Sequence, residues 1–258
     1  MRSLWLSDVG GFLRFHEIPG DLPARLYVHG LGCAGTSDWP HVVAAGPLAG
    51  RRSILVDLVG YGFSDRPTNF SYTMEAHADT LAALLDHLSL TRIELIGHSM
   101  GGSIAILLTD RRPDLVARLV VAEPNLDPGP GMISGRIAAS TVDAFATAGH
   151  SDIVADLDTA ARKGDTNAAA YAASFRLAAP LALHASAASL IAERTPTYRT
   201  LLKGFPIPRA YIYGARSKED LSGLAESGVA IRCIADAGHS MMEDNPKGFA
   251  EAAAQVLS

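Results

Sequence analysis

The chain has too little cysteine to be held together by disulfides. Cys33 and Cys233 are the two thiols in 258 residues, which is also too few ligands for a thiolate metal site. Both are expected to be free and at least half-buried. Basic residues never gather into a dense run, and 22 Lys and Arg against 27 Asp and Glu leave a formal net charge of −5. That balance disfavours a nucleic-acid partner or an anionic membrane surface, both of which need concentrated positive charge. No apolar stretch approaches the length of a membrane span. The opening MRSLWLSDVGGF lacks the apolar core of a signal peptide. A cytoplasmic protein is the expectation, without a membrane or nucleic-acid partner, as a monomer or a homodimer.

What the chain has is apolar material, 48% of its residues, arranged in a strand-and-helix rhythm. LWL and FLRFH flank a DVGG turn and read as an antiparallel pair at a sheet edge. RLYVHG at 25–30, RSILVDL at 52–58, RIELIG at 92–97, ARLVVAEP at 117–124, RAYIYG at 209–214 and VAIRCIA at 229–235 read as buried strands. Between two of them, Leu81, Leu84, Leu85 and Leu88 fall on one helical face. Another helix runs from SIAILL until Pro113, and Asn245 with Pro246 opens a last one through Val256. Alternation of this kind predicts a mostly parallel sheet covered on both faces. The rhythm stops after Pro124. Between Ala138 and Ala192, 20 of 55 residues are Ala, good helix and poor strand material. Residues 125–205 are therefore expected to form an inserted helical cap on a core made of 1–124 and 206–258.

Gly97-His98-Ser99-Met100-Gly101 fits G-x-S-x-G between an apolar strand and a helix. That context turns a weak motif into a nucleophile elbow, a sharp turn that lifts a serine hydroxyl above the sheet. The Met100 amide then lies at a helix start, where free donors and the helix dipole favour an oxyanion. A second donor is expected from the loop His29-Gly30-Leu31-Gly32, from Leu31 with Gly32 in reserve.

VHGLG at 28–32, D-x-x-G-x-G-x-S at 57–64, GHSMGG at 97–102 and AGHSMMEDNP at 237–246 together resemble the α/β-hydrolase family. The resemblance covers nearly the whole chain apart from the insertion. It implies an α/β fold with an eight-stranded, mostly parallel sheet, a cap after strand six and a pocket between cap and core. It also implies Leu31 and Met100 as oxyanion donors. Asp57 belongs to the family's structural loop and stays outside the triad. A serine at position 99 argues against the branches that use an Asp nucleophile.

His239, on the loop after the last strand, is the expected base: a neutral imidazole can take the serine proton and return it to the leaving group. His98 and His29 are read as residues that shape their loops. The family's usual acid resembles an Asp three residues beyond the glycine closing strand seven. Here that place holds Ser217. Glu123 resembles the variant with its acid after strand six, and a carboxylate following buried apolar residues needs a partner. Glu219 and Asp220 remain alternatives, and Asp236 reads as a turn residue.

These residues predict hydrolysis through an acyl-enzyme, with no cofactor and no metal. The Ala-rich insertion suggests an apolar pocket, with Trp39, Met132, Phe145, Phe175 and Leu181 as candidate lining residues, and a small hydrophobic ester or lactone as substrate. The displaced acid resembles the zearalenone-type lactonase branch. Within the family, C–C bond hydrolases, proline iminopeptidases and cofactor-independent oxygenases or perhydrolases are alternatives. A ligand receptor built on a hydrolase fold is the non-enzymatic one.

Overall fold

A computed structural model of the protein describes residues 1–44 and 46–257. Eight strands form one sheet: β1 (Arg2–Leu6), β2 (Gly11–Ile18), β3 (Asp21–Val28), β4 (Arg51–Asp57), β5 (Ile93–His98), β6 (Val116–Ala122), β7 (Arg209–Gly214) and β8 (Ala230–Ile234). Their spatial order is β1-β2-β4-β3-β5-β6-β7-β8. The pairs β1–β2 and β2–β4 are antiparallel and every later pair is parallel.

Side chains alternate across a strand, so each parallel strand feeds two cores. Leu26, Val28, Leu95, Leu119 and Val121 pack on one face with the helices Met74–His87 and Met100–Arg111. Tyr27, Ile96, Val120 and Ile212 pack on the other with the final helix Pro246–Leu257. Burial on both faces explains why these strands read as apolar runs. The helix ends follow their capping residues. Thr73 Oγ1 accepts from the Ala76 amide at 3.2 Å, and Asn245 Oδ1 accepts from the Gly248 amide at 2.9 Å.

The insertion between β6 and β7 is helical, with longer helices at His150–Arg162, Thr166–Leu177 and Pro180–Ile191 and shorter ones at Met132–Ala138 and Tyr198–Gly204. Among the described residues no single helix is long and apolar enough to cross a membrane. The strand-helix rhythm is broken between β7 and β8. That connection contains one short turn of 3₁₀ helix, Ala225–Ser227, because the charged run Arg216-Ser217-Lys218-Glu219-Asp220 offers no apolar face to pack. Both cysteines are free, but Cys233 is exposed on the edge strand β8 rather than half-buried.

Candidate active site

The elbow forms because glycine stands on both sides of it. At Gly101 a Cβ would lie 2.4 Å from the carbonyl oxygens of Val28 and His29, and at Gly97 one would lie 2.4 Å from the Gly101 oxygen. Only bare backbone passes there. Between them Ser99 sits at φ 52° and ψ −125°, a conformation that costs a non-glycine residue about 1–3 kcal/mol. Strain of this kind persists where surrounding contacts over-determine it. The Ser99 amide donates to Ala122 O at 2.8 Å, and its carbonyl accepts from the Gly102 amide at 2.8 Å.

Glu123 follows β6 as Ser99 follows β5, and these strands are neighbours with His98 paired to Ala122. The Ser99 hydroxyl and the Glu123 carboxylate thus leave adjacent strands at the same level. Glu123 is buried, at 5% exposure. Its Oε1 accepts from the Gly214 amide at 2.9 Å, and its Oε2 meets His239 Nδ1 at 2.6 Å. Burial pushes the carboxyl up, but the His239 ring, the Gly214 amide and the Ser217 hydroxyl together hold it below the usual carboxylate range. Ser217, at the position expected for the more usual acid, helps to hold the Glu123 carboxylate.

His239 is half-exposed and lines the same cavity as Ser99. Its Nδ1 is engaged by Glu123, which leaves Nε2 for the serine side. No hydrogen bond joins Nε2 to Ser99 Oγ among the described residues, and such contacts commonly tighten only when substrate is bound. His98 packs on the His239 ring, centroids 4.7 Å apart, and its Nε2 donates to the His239 carbonyl at 2.9 Å. Burial, aided by the neighbouring His239, pushes its own pKa down to about 3. It is a neutral support for the base loop. His29 accepts the Leu58 amide at Nε2, 3.1 Å, and donates from Nδ1 to Gly30 O at 2.8 Å, so it shapes its loop. Asp57 binds the Thr36 and Phe63 amides at 2.9 Å each, away from His239.

The Leu31 and Met100 amides donate to no protein acceptor among the described residues. The loop carrying Leu31 runs beside the nucleophile, since a Cβ on Gly30 would lie 3.3 Å from Ser99 Cβ. The two amides are available to an oxyanion at that place.

The alternative acids do not reach the base. The Tyr211 hydroxyl donates to Glu219, whose pKa is raised by burial and by the charge of Glu123. Asp220 is exposed, accepts from the Ser222 amide at 2.9 Å and pairs with Arg199 at 3.4 Å. Neither hydrogen-bonds His239 among the described residues. Asp236 is an exposed turn residue at φ 55°.

A cavity of about 730 Å³ opens over Ser99 and His239. Its lining is mixed: Leu31, Pro124, Leu126, Pro130, Ile133 and Leu190 are apolar, and Asn125, Arg199, Tyr211 and the run Arg216 to Asp220 make a more polar wall. The apolar residues singled out from the sequence lie elsewhere. Trp39 is fully buried between Tyr27 and Phe249. Phe145 and Phe175 flank His150 and are buried in the same core cluster as the sheet, against which Leu181 also packs. The Met132 side chain lies outside the described residues. Large apolar side chains in the insertion bury themselves, and the half-polar wall comes from a charged loop. Five consecutive polar residues, separated by one residue from the end of β7, were the signal for that wall. No group of three or more His, Cys, Asp or Glu suited to a metal occurs among the described residues.

The model of the alpha/beta hydrolase fold matches residues 26–157, just over half of the chain. An uncharacterized protein of Mycobacterium tuberculosis is 37% identical over 120 residues, 46% of this chain and 34% of that one. The 2-hydroxy-6-oxo-2,4-heptadienoate hydrolase of Pseudomonas putida is 37% identical over 108 residues, 41% of this chain and 38% of that one. The matches thus span little more than a third of these curated relatives. Among solved structures, a thermophilic esterase from Thermogutta terrifontis superposes with a TM-score of 0.83 at 23% identity, covering 100% of this chain and 98% of that one. With the eight-stranded sheet, the elbow after β5 and the family match in agreement, the chain belongs to the α/β-hydrolase fold family.

Proposed function

We propose that the protein is a serine hydrolase of small carboxylic esters or lactones, with Ser99 as nucleophile, His239 as base and Glu123 as the acid that orients it. The observation that carries this reading is the 2.6 Å contact between Glu123 Oε2 and His239 Nδ1, with the carboxylate's second oxygen fixed on the Gly214 amide. It sets the tautomer: Nδ1 holds the hydrogen and Nε2 is the free acceptor.

In the first half-reaction His239 Nε2 takes the Ser99 proton as Oγ bonds to the acyl carbon. The oxygen of that carbonyl becomes an anion between the Leu31 and Met100 amides. Collapse breaks the C–O bond, and the departing alkoxide receives the proton from His239. In a lactone this alkoxide stays tethered to the acyl group. A water, deprotonated by the same nitrogen, then attacks the acyl-enzyme and frees Ser99. The mixed lining favours a substrate with an apolar portion for Leu126, Ile133 and Leu190 and a polar portion for the 216–220 loop.

A C–C bond hydrolase is the second reading, favoured by the likeness to the Pseudomonas putida enzyme and by the polar wall. A fluorophosphonate label on Ser99, absent in Ser99→Ala, tests the nucleophile. Mass-spectrometric trapping across ester, lactone and C–C substrates tests the bond cleaved. Oxygen-dependent turnover without an acyl adduct would overturn the proposal.

A further inference from the structure

We propose that the cap helix Thr166–Leu177 sets the geometry of the catalytic centre from outside it, with Tyr171 positioning the oxyanion loop and Asn167, through Asp244, positioning the base loop. The proposal rests on the serine-hydrolase reading given above.

The first contact lies beside the oxyanion donors. The Tyr171 hydroxyl donates to the Leu31 carbonyl at 2.8 Å. One residue on, Gly32 has φ +76°, and a Cβ there would lie 2.5 Å from Phe175 Cδ2 and 2.7 Å from the Tyr171 hydroxyl. The loop is therefore pressed against two aromatic side chains one helical turn apart, themselves in edge contact at 5.5 Å. A third contact from the same helix, Ser174 Oγ to Ser37 Oγ at 3.0 Å, holds the far side of the loop. Leu31 is left little freedom to rotate its amide away from Ser99.

The second contact is at the other end of the same helix. Asn167 Nδ2 donates to Asp244 Oδ1 at 2.7 Å, and Asp244 Oδ2 accepts from the Gly238 amide at 2.8 Å. Gly238 is the residue before His239. A single rigid helix thus grips the peptide segments that carry the oxyanion donor and the base, which lie more than 200 residues apart in the chain. None of these four helix residues lines the cavity, so none is placed to act on substrate directly. An error of about 1 Å in such geometry costs roughly 10²-fold in rate, which makes this bracing a kinetic matter as well as a structural one.

The test uses the full chain as wild type, Tyr171→Phe and Asn167→Ala, assayed with a p-nitrophenyl butyrate series and with an alkyl boronic acid, whose tetrahedral adduct on Ser99 places an oxygen between the two amides. Tyr171→Phe is expected to lower kcat about tenfold, less than the roughly 10²–10³ that follows loss of an oxyanion donor itself, with KM within about twofold. Boronate affinity should fall by the same factor as kcat. Asn167→Ala should lower kcat and slow fluorophosphonate labelling. A packing role alone would lower the melting temperature and leave kcat unchanged when it is normalised to folded active sites titrated with the fluorophosphonate, which overturns the proposal. A raised KM at unchanged kcat overturns it too. If wild-type protein neither labels nor turns over, the hydrolase reading fails and takes this one with it.

Discussion

Replacing Glu123 with Gln changes one atom of the proposed acid and nothing of its shape. The consequence follows from the contacts Glu123 makes with the Gly214 amide and His239, since the Ser217 hydroxyl can turn to suit either atom. The Gly214 amide is a donor, so the carboxamide oxygen must stay on it, at the 2.9 Å now spanned by Oε1. The amide nitrogen is then turned toward His239 Nδ1, which it meets as a donor. His239 can satisfy that only by accepting at Nδ1 and carrying its hydrogen on Nε2, the nitrogen that must receive the Ser99 proton. A wrong histidine tautomer in a serine triad costs about 10⁴ in kcat, equivalent to about 5.5 kcal/mol. Glu123 Oε2 and His239 Nδ1 engage each other, so KM should change little. The assay is initial-rate kinetics on a chromogenic ester, alongside fluorophosphonate labelling rates and near-ultraviolet circular dichroism to confirm the fold. A variant that is folded and keeps more than about a tenth of wild-type kcat would refute the tautomer argument. Glu219→Gln and Asp220→Asn would then show which neighbour serves.

Three further outcomes follow from the same geometry. Ser99→Gly should abolish labelling yet raise stability in urea by about 1 kcal/mol, because glycine adopts φ 52° without the strain serine carries there; a loss of stability contradicts this. Gly101→Ala should destabilise the fold by several kcal/mol, measured by thermal melting, since its Cβ meets two backbone oxygens at 2.4 Å that cannot yield; a near-native melting temperature argues against the tight elbow. His77 is buried among Tyr61, Phe70 and Tyr72, and burial, then His29, pushes its pKa from 6.5 down to about 3. The unfolded chain therefore binds the proton first. Stability should fall as pH drops from 6.5 toward about 3, and His77→Phe should flatten that slope in a pH series of melting curves.

Much of this arrangement was legible in the sequence. The strands could be read because parallel strands buried on both faces must be apolar throughout, and the elbow because only glycine tolerates its crowding. Glu123 was legible through an absence, Ser217 standing where an acid was expected, together with a carboxylate that burial would otherwise penalise. The cavity walls were not legible. Phe145, Phe175 and Trp39 look the same in sequence whether they face a substrate or the core, and the insertion's alanines leave few large side chains to bury in the core it shares with the sheet. Those few were needed there. The polar wall came from the 216–220 run, whose polarity is plain in the sequence but whose turn toward Ser99 is not. The grip of Tyr171 on Leu31 joins residues 140 positions apart, and no local pattern encodes that.

An acid seated at the end of β6 has a consequence for how this scaffold can change. In the proposed assignment the segment after β7 supplies Glu123 with the Gly214 amide and the Ser217 hydroxyl, and beyond Ser217 it owes the triad nothing. Lys218 and Asp220 are exposed and can exchange charge, with Leu224 keeping the rest of the loop anchored in the core, while the nucleophile, base and acid stay on fixed supports. That stretch also forms much of the polar wall of the cavity. Substrate preference can therefore drift, or be engineered by loop replacement, along a piece of chain whose variation leaves the chemistry intact.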